Sequence, residues 1–397
     1  MRRKRWFVAS MADMVSHASL LHIRLFYAAY FAAMGIVLPF FPVYLAGRGM
    51  DVAAIGVFTG LLSVAKVLAP PAVGRALDGY PHPARFILFA SLAAGLLALC
   101  FPWTSSDWVL AALVLGFGCL WAAVLPLTDG LSVAVSEAAL IDYGRLRVWG
   151  SIGFVVASLF GGLWLADSAA VDFPYWLGAL MLLTALSASG FPERQVESDE
   201  REGQPAVMQK SLIWLMLVGF VMQASHGAYY GFFSLYLLQA GYAGWQVGAF
   251  WVLGVLAEII LMWRFSRPVA ELAPALLLST CLLLAALRWL GMGLTTSLLW
   301  LLLLQLLHAA SFAAFHINAV TWVQRLAPKN RRASAQGWYS ASGFGMGTAV
   351  GIMGCGWIAT QAGGEADFSS AFFVCAVVAL LGIGASLQLP RRGISAR

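Results

Sequence analysis

The sequence predicts an all-α integral membrane protein whose twelve transmembrane helices form two repeated six-helix bundles. The first observation behind this prediction is composition: hydrophobic residues make up 61% of the 397-residue chain and charged residues 11%, whereas soluble domains are about half apolar and about a quarter charged. A mean hydropathy of +0.82 assigns most of the chain to lipid. These values exclude a soluble enzyme, a disordered chain and a disulfide scaffold, and the five cysteines show neither pairing nor metal-ligand spacing.

The second observation is the number of apolar segments. Two sets of six, each close to the ~20 residues that a helix needs to cross a bilayer, lie on either side of a polar break. The first set lies at 22–46, 52–78, 84–104, 107–134, 144–167 and 173–192, and the second at 211–239, 244–265, 269–293, 297–325, 334–361 and 368–390. The chain is therefore predicted to comprise a cytoplasmic tail (1–21), an N-terminal bundle (22–192), a cytoplasmic linker (193–210), a C-terminal bundle (211–390) and a second tail (391–397).

The third observation is an internal repeat with an offset of 192 residues. At this offset, seven glycine or aromatic identities fall within 24 positions. The matched residues are Gly35, Phe40, Phe41, Tyr44, Gly49, Gly56 and Phe58 in the first half, and Gly227, Phe232, Phe233, Tyr236, Gly241, Gly248 and Phe250 in the second. The same offset brings Lys66 onto Glu258. Repeated six-helix halves are typical of transporters, whose substrate site lies near the middle of the membrane between the halves.

Lysines and arginines are distributed unevenly between the loops. If the N-terminus is cytoplasmic, the external loops hold one base, Arg48, and the other loop and tail bases lie on the cytoplasmic side. Because cytoplasmic loops are rich in Lys and Arg, we expect a multi-pass protein of the inner (cytoplasmic) membrane with both termini in the cytoplasm. The net charge of +6 then reflects orientation, and no nucleic-acid partner is expected.

Ionisable side chains inside membrane spans are costly and are therefore functional candidates. Lys66 lies twelve residues before Asp78, about 18 Å along a helix that rises 1.5 Å per residue, and so near the middle of a roughly 30 Å hydrocarbon core. We expect Lys66 to line a polar cavity and bind a substrate carboxylate, with Arg147 as a second cationic contact. The alternative is a structural pair between Lys66 and either Asp129 or Glu258.

Two further groups of candidates lie in the spans. Asp129 and Arg147 occur toward the cytoplasmic ends of consecutive antiparallel helices, where they either bind substrate or form an ion pair that holds the hairpin. The first and seventh spans carry polar aromatic side chains within otherwise apolar helices, and these are expected to line a central cavity. They are Tyr27, Tyr30, His226 and Tyr230.

A proton-coupling group is predicted in the eighth span. Glu258 lies roughly 9 Å into the membrane, where burial favours the neutral, protonated carboxyl and suits it to proton carriage. His308 and Asp129 are the reserve candidates for this role. A lone membrane histidine such as His308 also serves as a hydrogen-bonding group between helices, and both readings stay open.

The buried charges do not balance. Three bases, Lys66, Arg147 and Arg288, oppose two acids, Asp129 and Glu258. One positive charge is left over, and an anionic ligand would supply the missing partner.

Several motifs resemble those of known transporters. Gly74 and Asp78, after the second span, resemble a remnant of the major facilitator superfamily loop motif. From about residue 22 onward the chain resembles the phenylpropionate permease group, which is allied to the proton-coupled lactose permease. The motifs that carry this resemblance are PLTD at 126–129, DYGRLRVWGS at 142–151, HGAYYGF at 226–232, VLAEII at 255–260 and LH at 307–308.

The resemblance to lactose permease implies a role for five residues. Asp129 and Arg147 match the pair that grips the sugar, Glu258 matches the proton-linked glutamate, Arg288 the ninth-helix arginine and His308 the tenth-helix histidine.

The chain also departs from the sugar carrier. Ser311 and His226 stand where that carrier has acids. Lys66 has no counterpart there, whereas phenylpropionate-type carriers resemble this chain in having a base at that position. The sugar mechanism is therefore not expected to apply unchanged.

The expected function is proton-coupled import of a small organic acid, of the phenylpropionate-like aromatic carboxylate kind, by alternating access. A symporter of a neutral sugar, oligosaccharide or nucleoside and a metabolite or drug exporter are the alternatives, and a membrane sensor or scaffold is a third. No enzyme is expected, because serine-elbow, phosphate-loop and zinc motifs are absent from the sequence. No cofactor is expected, since the proton gradient drives transport. The expected partners are the substrate, protons and the bilayer, and the protein is expected to be monomeric.

Overall fold

The computed structural model describes residues 17–76, 82–192, 209–328, 331–361 and 366–392, with side chains except at 17, 18, 74–76, 166, 167, 169, 170 and 333. The backbone of these ranges is helical and contains no strand. The N-terminal helices are α1 (His17–Gly47), α2 (Val52–Ala76), α3 (Pro83–Leu99), α4 (Asp107–Ala139) and α5 (Tyr143–Ala188). The C-terminal helices are α6 (Lys210–Ala224), α7 (Gly227–Gln239), α8 (Gly244–Glu271), α9 (Pro274–Leu294), α10 (Leu298–Leu306), α11 (Phe315–Leu326), α12 (Arg332–Ser340), α13 (Thr348–Ala359) and α14 (Phe368–Ser386).

Eleven helical segments of the described ranges are long and apolar enough to cross a membrane, which confirms the predicted all-helical membrane fold. Helix α5 supplies two of them, Tyr143–Leu165 and Val171–Ala188, and a π-helical turn, Ala309–Ala314, joins α10 to α11 within a single span. The twelfth predicted segment, 334–361, is also helical but is not among the eleven. It is rich in glycine, which adds no apolar side chain, and a second π-helical turn, Ala341–Gly347, interrupts it.

The chain forms two compact units. The first comprises residues 1–41 and 68–199, and the second comprises 42–67 and 200–397. Residues 42–67, which the sequence assigned to the N-terminal bundle, thus pack with C-terminal residues. Close contacts explain this grouping: a Cβ added at Gly56 would lie 3.2 Å from the Cα of Gly356. The boundary at 193–210 falls largely outside the described residues and stays a prediction.

Glycines allow close helix contacts in the first unit. A Cβ added at Gly153 on α5 would overlap the backbone of Ala28 on α1, and one at Gly35 would lie 2.6 Å from the carbonyl oxygen of Phe154. The hydroxyl of Ser158 donates to the Gly35 carbonyl at 2.9 Å. Small residues of this kind let membrane helices approach closely, and here they fix α1 against α5, the two helices that carry Tyr27 and Arg147.

The second unit repeats this packing. A Cβ added at Gly227 would overlap the backbone of Gly351 on α13, and Gly227 is the repeat equivalent of Gly35. The repeat also appears in backbone conformation, because Gly49 and Gly241 have φ angles of 81° and 87°, a left-handed region that disfavours other residues. The repeat found in the sequence is therefore present in helix packing and in turn geometry.

Candidate functional site

Asp129 on α4 is at the centre of a charged cluster in the first unit. Its Oδ1 accepts hydrogen bonds from the hydroxyls of Tyr27, at 2.6 Å, and of Tyr143, at 2.9 Å. The Nε of Arg147 lies 4.0 Å from the same oxygen, and the two charged side chains are 33% (Arg147) and 35% (Asp129) exposed. The tyrosines therefore satisfy this carboxylate oxygen, while Arg147 stands at the outer limit of an ion pair.

Arg147 is held mainly by aromatic rings. Its guanidinium carbon lies 3.9 Å from the centre of the Phe31 ring and 5.3 Å from that of Tyr27, distances at which a cation is attracted to a ring face. Gly150, one turn later on α5, leaves room for this arrangement, since a Cβ there would lie 2.7 Å from the Phe31 ring and 2.9 Å from Nη1 of Arg147. Within the described part of the first unit, no hydrogen bond occupies the guanidinium nitrogens. These nitrogens therefore have no hydrogen-bond acceptor within the described part of this unit.

Tyr30 lies deeper in the same unit. Its hydroxyl donates to the carbonyl of Trp121 at 3.1 Å, its ring stacks on Phe26, and only 3% of the residue is exposed. The structure thus buries Tyr30 beside the cluster, with Phe31 as the common neighbour. Its predicted place in the lining of a central cavity stays a prediction.

A second charged cluster joins three helices of the second unit. Nε2 of His308 lies 2.7 Å from Oε1 of Glu258 on α8, and Nη1 of Arg288 on α9 lies 2.8 Å from Nδ1 of His308. Gln305, three residues before His308, accepts a hydrogen bond from Nη2 of Arg288. The Arg288 guanidinium also lies 4.3 Å from the Tyr229 ring centre. Three of the predicted residues thus form one connected chain of hydrogen bonds.

His226 lies beside this cluster. Its Nδ1 is 2.8 Å from the carbonyl of Met222, and since a carbonyl only accepts, Nδ1 carries the hydrogen. The ring stacks on Tyr230 with centroids 5.6 Å apart and meets Trp289 edge to face. His226 is fully buried, whereas Tyr230 is partly exposed.

Lys66 lies on α2 within the second unit, and its side chain is exposed. Val57 and Leu68, which are 46% and 52% exposed, lie on one apolar face of this helix. Nine residues at about 100° per residue bring Lys66 to the opposite side from Val57. The sequence left open a structural pair between Lys66 and Glu258. The structure does not contain it: Glu258 pairs with His308, and Lys66 has no ion pair in the described second unit.

Two of the predicted residues, Asp78 and Gly74, lie wholly or in part outside the described structure. Three residues of the charged clusters were not predicted from the sequence. Asp78 is not among the described residues, and of Gly74 only the backbone, within α2, is described. Tyr143, Phe31 and Gln305 were missed. A spacing of three or four residues could have revealed them, because side chains that far apart share a helix face. Tyr143 precedes Arg147 by four residues, Phe31 follows Tyr27 by four, and Gln305 precedes His308 by three.

Two repeated helical halves that carry charged clusters within membrane spans define a polytopic membrane transporter. The model of the MFS_1 like family matches residues 20–370. The chain belongs to this family and is a major facilitator superfamily transporter, which confirms both the resemblance seen in the sequence and the prediction that it is not an enzyme.

Relatives of known name are similar over most of the chain. The probable 3-phenylpropionic acid transporter of Escherichia coli strain K12 is 31% identical over 316 residues, covering 76% of this chain and 81% of the relative. The maltose permease of Geobacillus stearothermophilus is 25% identical over 381 residues, covering 93% and 94%. The crystal structure of nucleoside transporter NupG has a TM-score of 0.78 at 16% identity, covering 94% and 99%. This last likeness supports the fold alone.

Proposed function

We propose that this protein is a proton-coupled symporter that imports a small organic acid, an aromatic carboxylate of the phenylpropionate kind, by alternating access. It acts as a monomer in the inner membrane with both termini in the cytoplasm, and the proton gradient drives it without a cofactor. The uneven distribution of Lys and Arg between the loops supports this orientation. The name of the 31% identical relative supports this substrate class.

The unoccupied guanidinium of Arg147 is the observation that carries the proposal. Because Tyr27 and Tyr143 already satisfy Oδ1 of Asp129, the donors of Arg147 remain available, and a guanidinium binds a carboxylate through two parallel hydrogen bonds. Phe31, beneath the cation, adds an apolar ring surface for an aromatic ligand. Lys66, on the face of α2 opposite Val57, is proposed as a further cationic contact in the second unit.

Glu258 is proposed as the proton carrier. Its side chain is 14% exposed, and its Oε1 lies 2.7 Å from Nε2 of His308, with no lysine or arginine paired to it in the described second unit. By contrast, two hydroxyl donors already occupy Oδ1 of Asp129. Protonation of Glu258 would leave Arg288 without a counter-charge, so binding of an anion becomes more favourable when the proton is bound.

Uptake into proteoliposomes tests the substrate class. We expect the wild type to accumulate 3-phenylpropionate and to ignore its amide, and Arg147→Gln to abolish uptake of the acid. Arg145→Gln is the matched control, since Arg145 is exposed two residues away and outside the cluster. Equal transport of acid and amide, or an unaffected Arg147→Gln variant, would refute the proposal.

The same assay tests proton coupling. Glu258→Gln should abolish accumulation against a gradient, because a permanently neutral side chain cannot release a proton. It should leave exchange of internal for external substrate intact, since exchange needs no net proton movement. Accumulation at the wild-type level by this variant would rule out the role of Glu258.

A neutral sugar is the second candidate. The other oxygen of Asp129, Oδ2, has no hydrogen bond in the described first unit and is a potential acceptor for a sugar hydroxyl. The maltose permease relative, which covers 93% of the chain, adds weight to this candidate. Uptake of maltose in place of 3-phenylpropionate by the same vesicles would favour it.

A further inference from the structure

The amide of Gln305 has a defined orientation. An arginine side chain only donates hydrogen bonds and a backbone carbonyl only accepts them. Oε1 of Gln305 must therefore face Arg288, and Nε2 must face the carbonyl of Phe250, 2.9 Å away. The reverse orientation would oppose two donors on one side and two acceptors on the other. Gln305 is fully buried.

This orientation determines the protonation pattern of His308. Gln305 holds Nη2 of Arg288, and the neighbouring Nη1 then points at Nδ1 of His308 at 2.8 Å. Since Arg288 donates, Nδ1 must be an acceptor without a hydrogen. In the neutral ring the hydrogen is then on Nε2, where it faces Oε1 of Glu258 at 2.7 Å.

We propose that Gln305 is a positioning residue that, through Arg288, keeps His308 in the Nε2–H tautomer and thereby fixes the donor that faces Glu258. The proposal rests on the assignment of Glu258 as the proton carrier. It assigns the transported proton to Glu258, because His308 cannot take a proton on Nδ1 without opposing the Arg288 donor. The other titratable side chains whose rings lie against the imidazole in the described second unit are the fully buried His226, with ring centroids 6.1 Å apart, and Tyr229, with centroids 5.1 Å apart.

Nitrogen NMR of protein labelled with 15N-histidine measures the tautomer directly. The chain has six histidines, and His308→Gln assigns the signals of His308. In the wild type we expect a hydrogen on Nε2 and none on Nδ1. Gln305→Leu removes the acceptor that holds Arg288, and the single tautomer should be lost. Gln223→Leu is the matched control, because Gln223 is a buried glutamine of the same unit outside the cluster, and it should keep the wild-type pattern.

Two further variants separate positioning from a general effect on folding. Gln305→Glu keeps an acceptor for Arg288, so His308 is expected to have the same Nε2–H tautomer as in the wild type. If the leucine variant fails to fold, Gln305→Asn takes its place, because its shorter side chain withdraws the oxygen from Arg288 while staying polar.

Three results would overturn the proposal: a hydrogen on Nδ1 of His308 in the wild type, an unchanged tautomer in the variant that lacks the Gln305 acceptor, or a lost tautomer in Gln305→Glu. None of these readouts depends on transport. Failure of the proposed function would instead appear as uphill accumulation by Glu258→Gln.

Discussion

Gly150→Ala is expected to weaken binding of an aromatic acid without unfolding the protein. The added methyl would lie 2.7 Å from the Phe31 ring and 2.9 Å from Nη1 of Arg147. Both contacts involve the ends of side chains, which can move, so the guanidinium shifts off the ring while the helix backbone stays in place. Arg147 is one-third exposed, and a cation–ring contact at such a site is worth about 0.5–1 kcal/mol. If the ligand needs the guanidinium back in its place over the ring, binding has to make up this energy, and at 1.4 kcal/mol per factor of ten the affinity falls about 2- to 5-fold.

Calorimetric titration of detergent-purified protein with 3-phenylpropionate measures this change. Gly354→Ala is the control, because no atom lies within 4 Å of a Cβ at that helical position. Both variants gain the helical preference of alanine over glycine, about 0.5–1 kcal/mol, so the difference between them isolates the contact with Arg147 and Phe31. The reasoning fails if Gly150→Ala binds the acid as tightly as Gly354→Ala does.

Three further predictions concern stability and orientation. Tyr27→Phe and Tyr143→Phe each remove a hydroxyl from Oδ1 of Asp129. Each should cost about 1 kcal/mol, which is less than the ~1.5–3 kcal/mol of a bond to a charged group because Asp129 is one-third exposed. Thermal melts check this, and an unchanged melting temperature would contradict it. In Gly227→Ala the added methyl would overlap the backbone of Gly351, and the free energy of unfolding should fall by about 3 kcal/mol. Gly354→Ala is again the control, and equal unfolding free energies for the two variants would contradict this prediction. Reporter fusions should find both termini cytoplasmic, and an external terminus would reverse the proposed orientation.

The two clusters differ in how they hold charge. In the first unit, Asp129 and Arg147 are each held by other side chains and remain partly exposed. In the second unit, Arg288 is fully buried and its charge is balanced by Glu258 through the ring of His308. Protonation of Glu258 in such a buried cluster leaves the Arg288 charge in need of another anion. This difference is the physical basis for assigning ligand binding to the first cluster and proton coupling to the second.

The sequence by itself determined the fold class, the repeat and most of the charged residues of both clusters. Apolar segments of membrane length need no tertiary information to be recognised, because the bilayer sets their length and excludes charge. For the same reason Lys66, Asp129, Glu258 and Arg288 stood out. The repeat predicted equivalent glycines, and Gly49 and Gly241 indeed share a left-handed backbone conformation.

Only the tertiary structure decided which side chains meet. The sequence left Glu258 open to pairing with Lys66, and the structure pairs it with His308, because helix rotation and side-chain rotamers select partners that lie far apart in the chain. The bonds of Tyr143 to Asp129 and of Gln305 to Arg288 were equally hidden, since uncharged polar residues are common in membrane helices. The sequence identifies a charged residue that needs a partner inside the membrane. Which residue becomes that partner depends on how the helices pack, and close contacts such as that of Gly153 with Ala28 fix the positions of neighbouring helices.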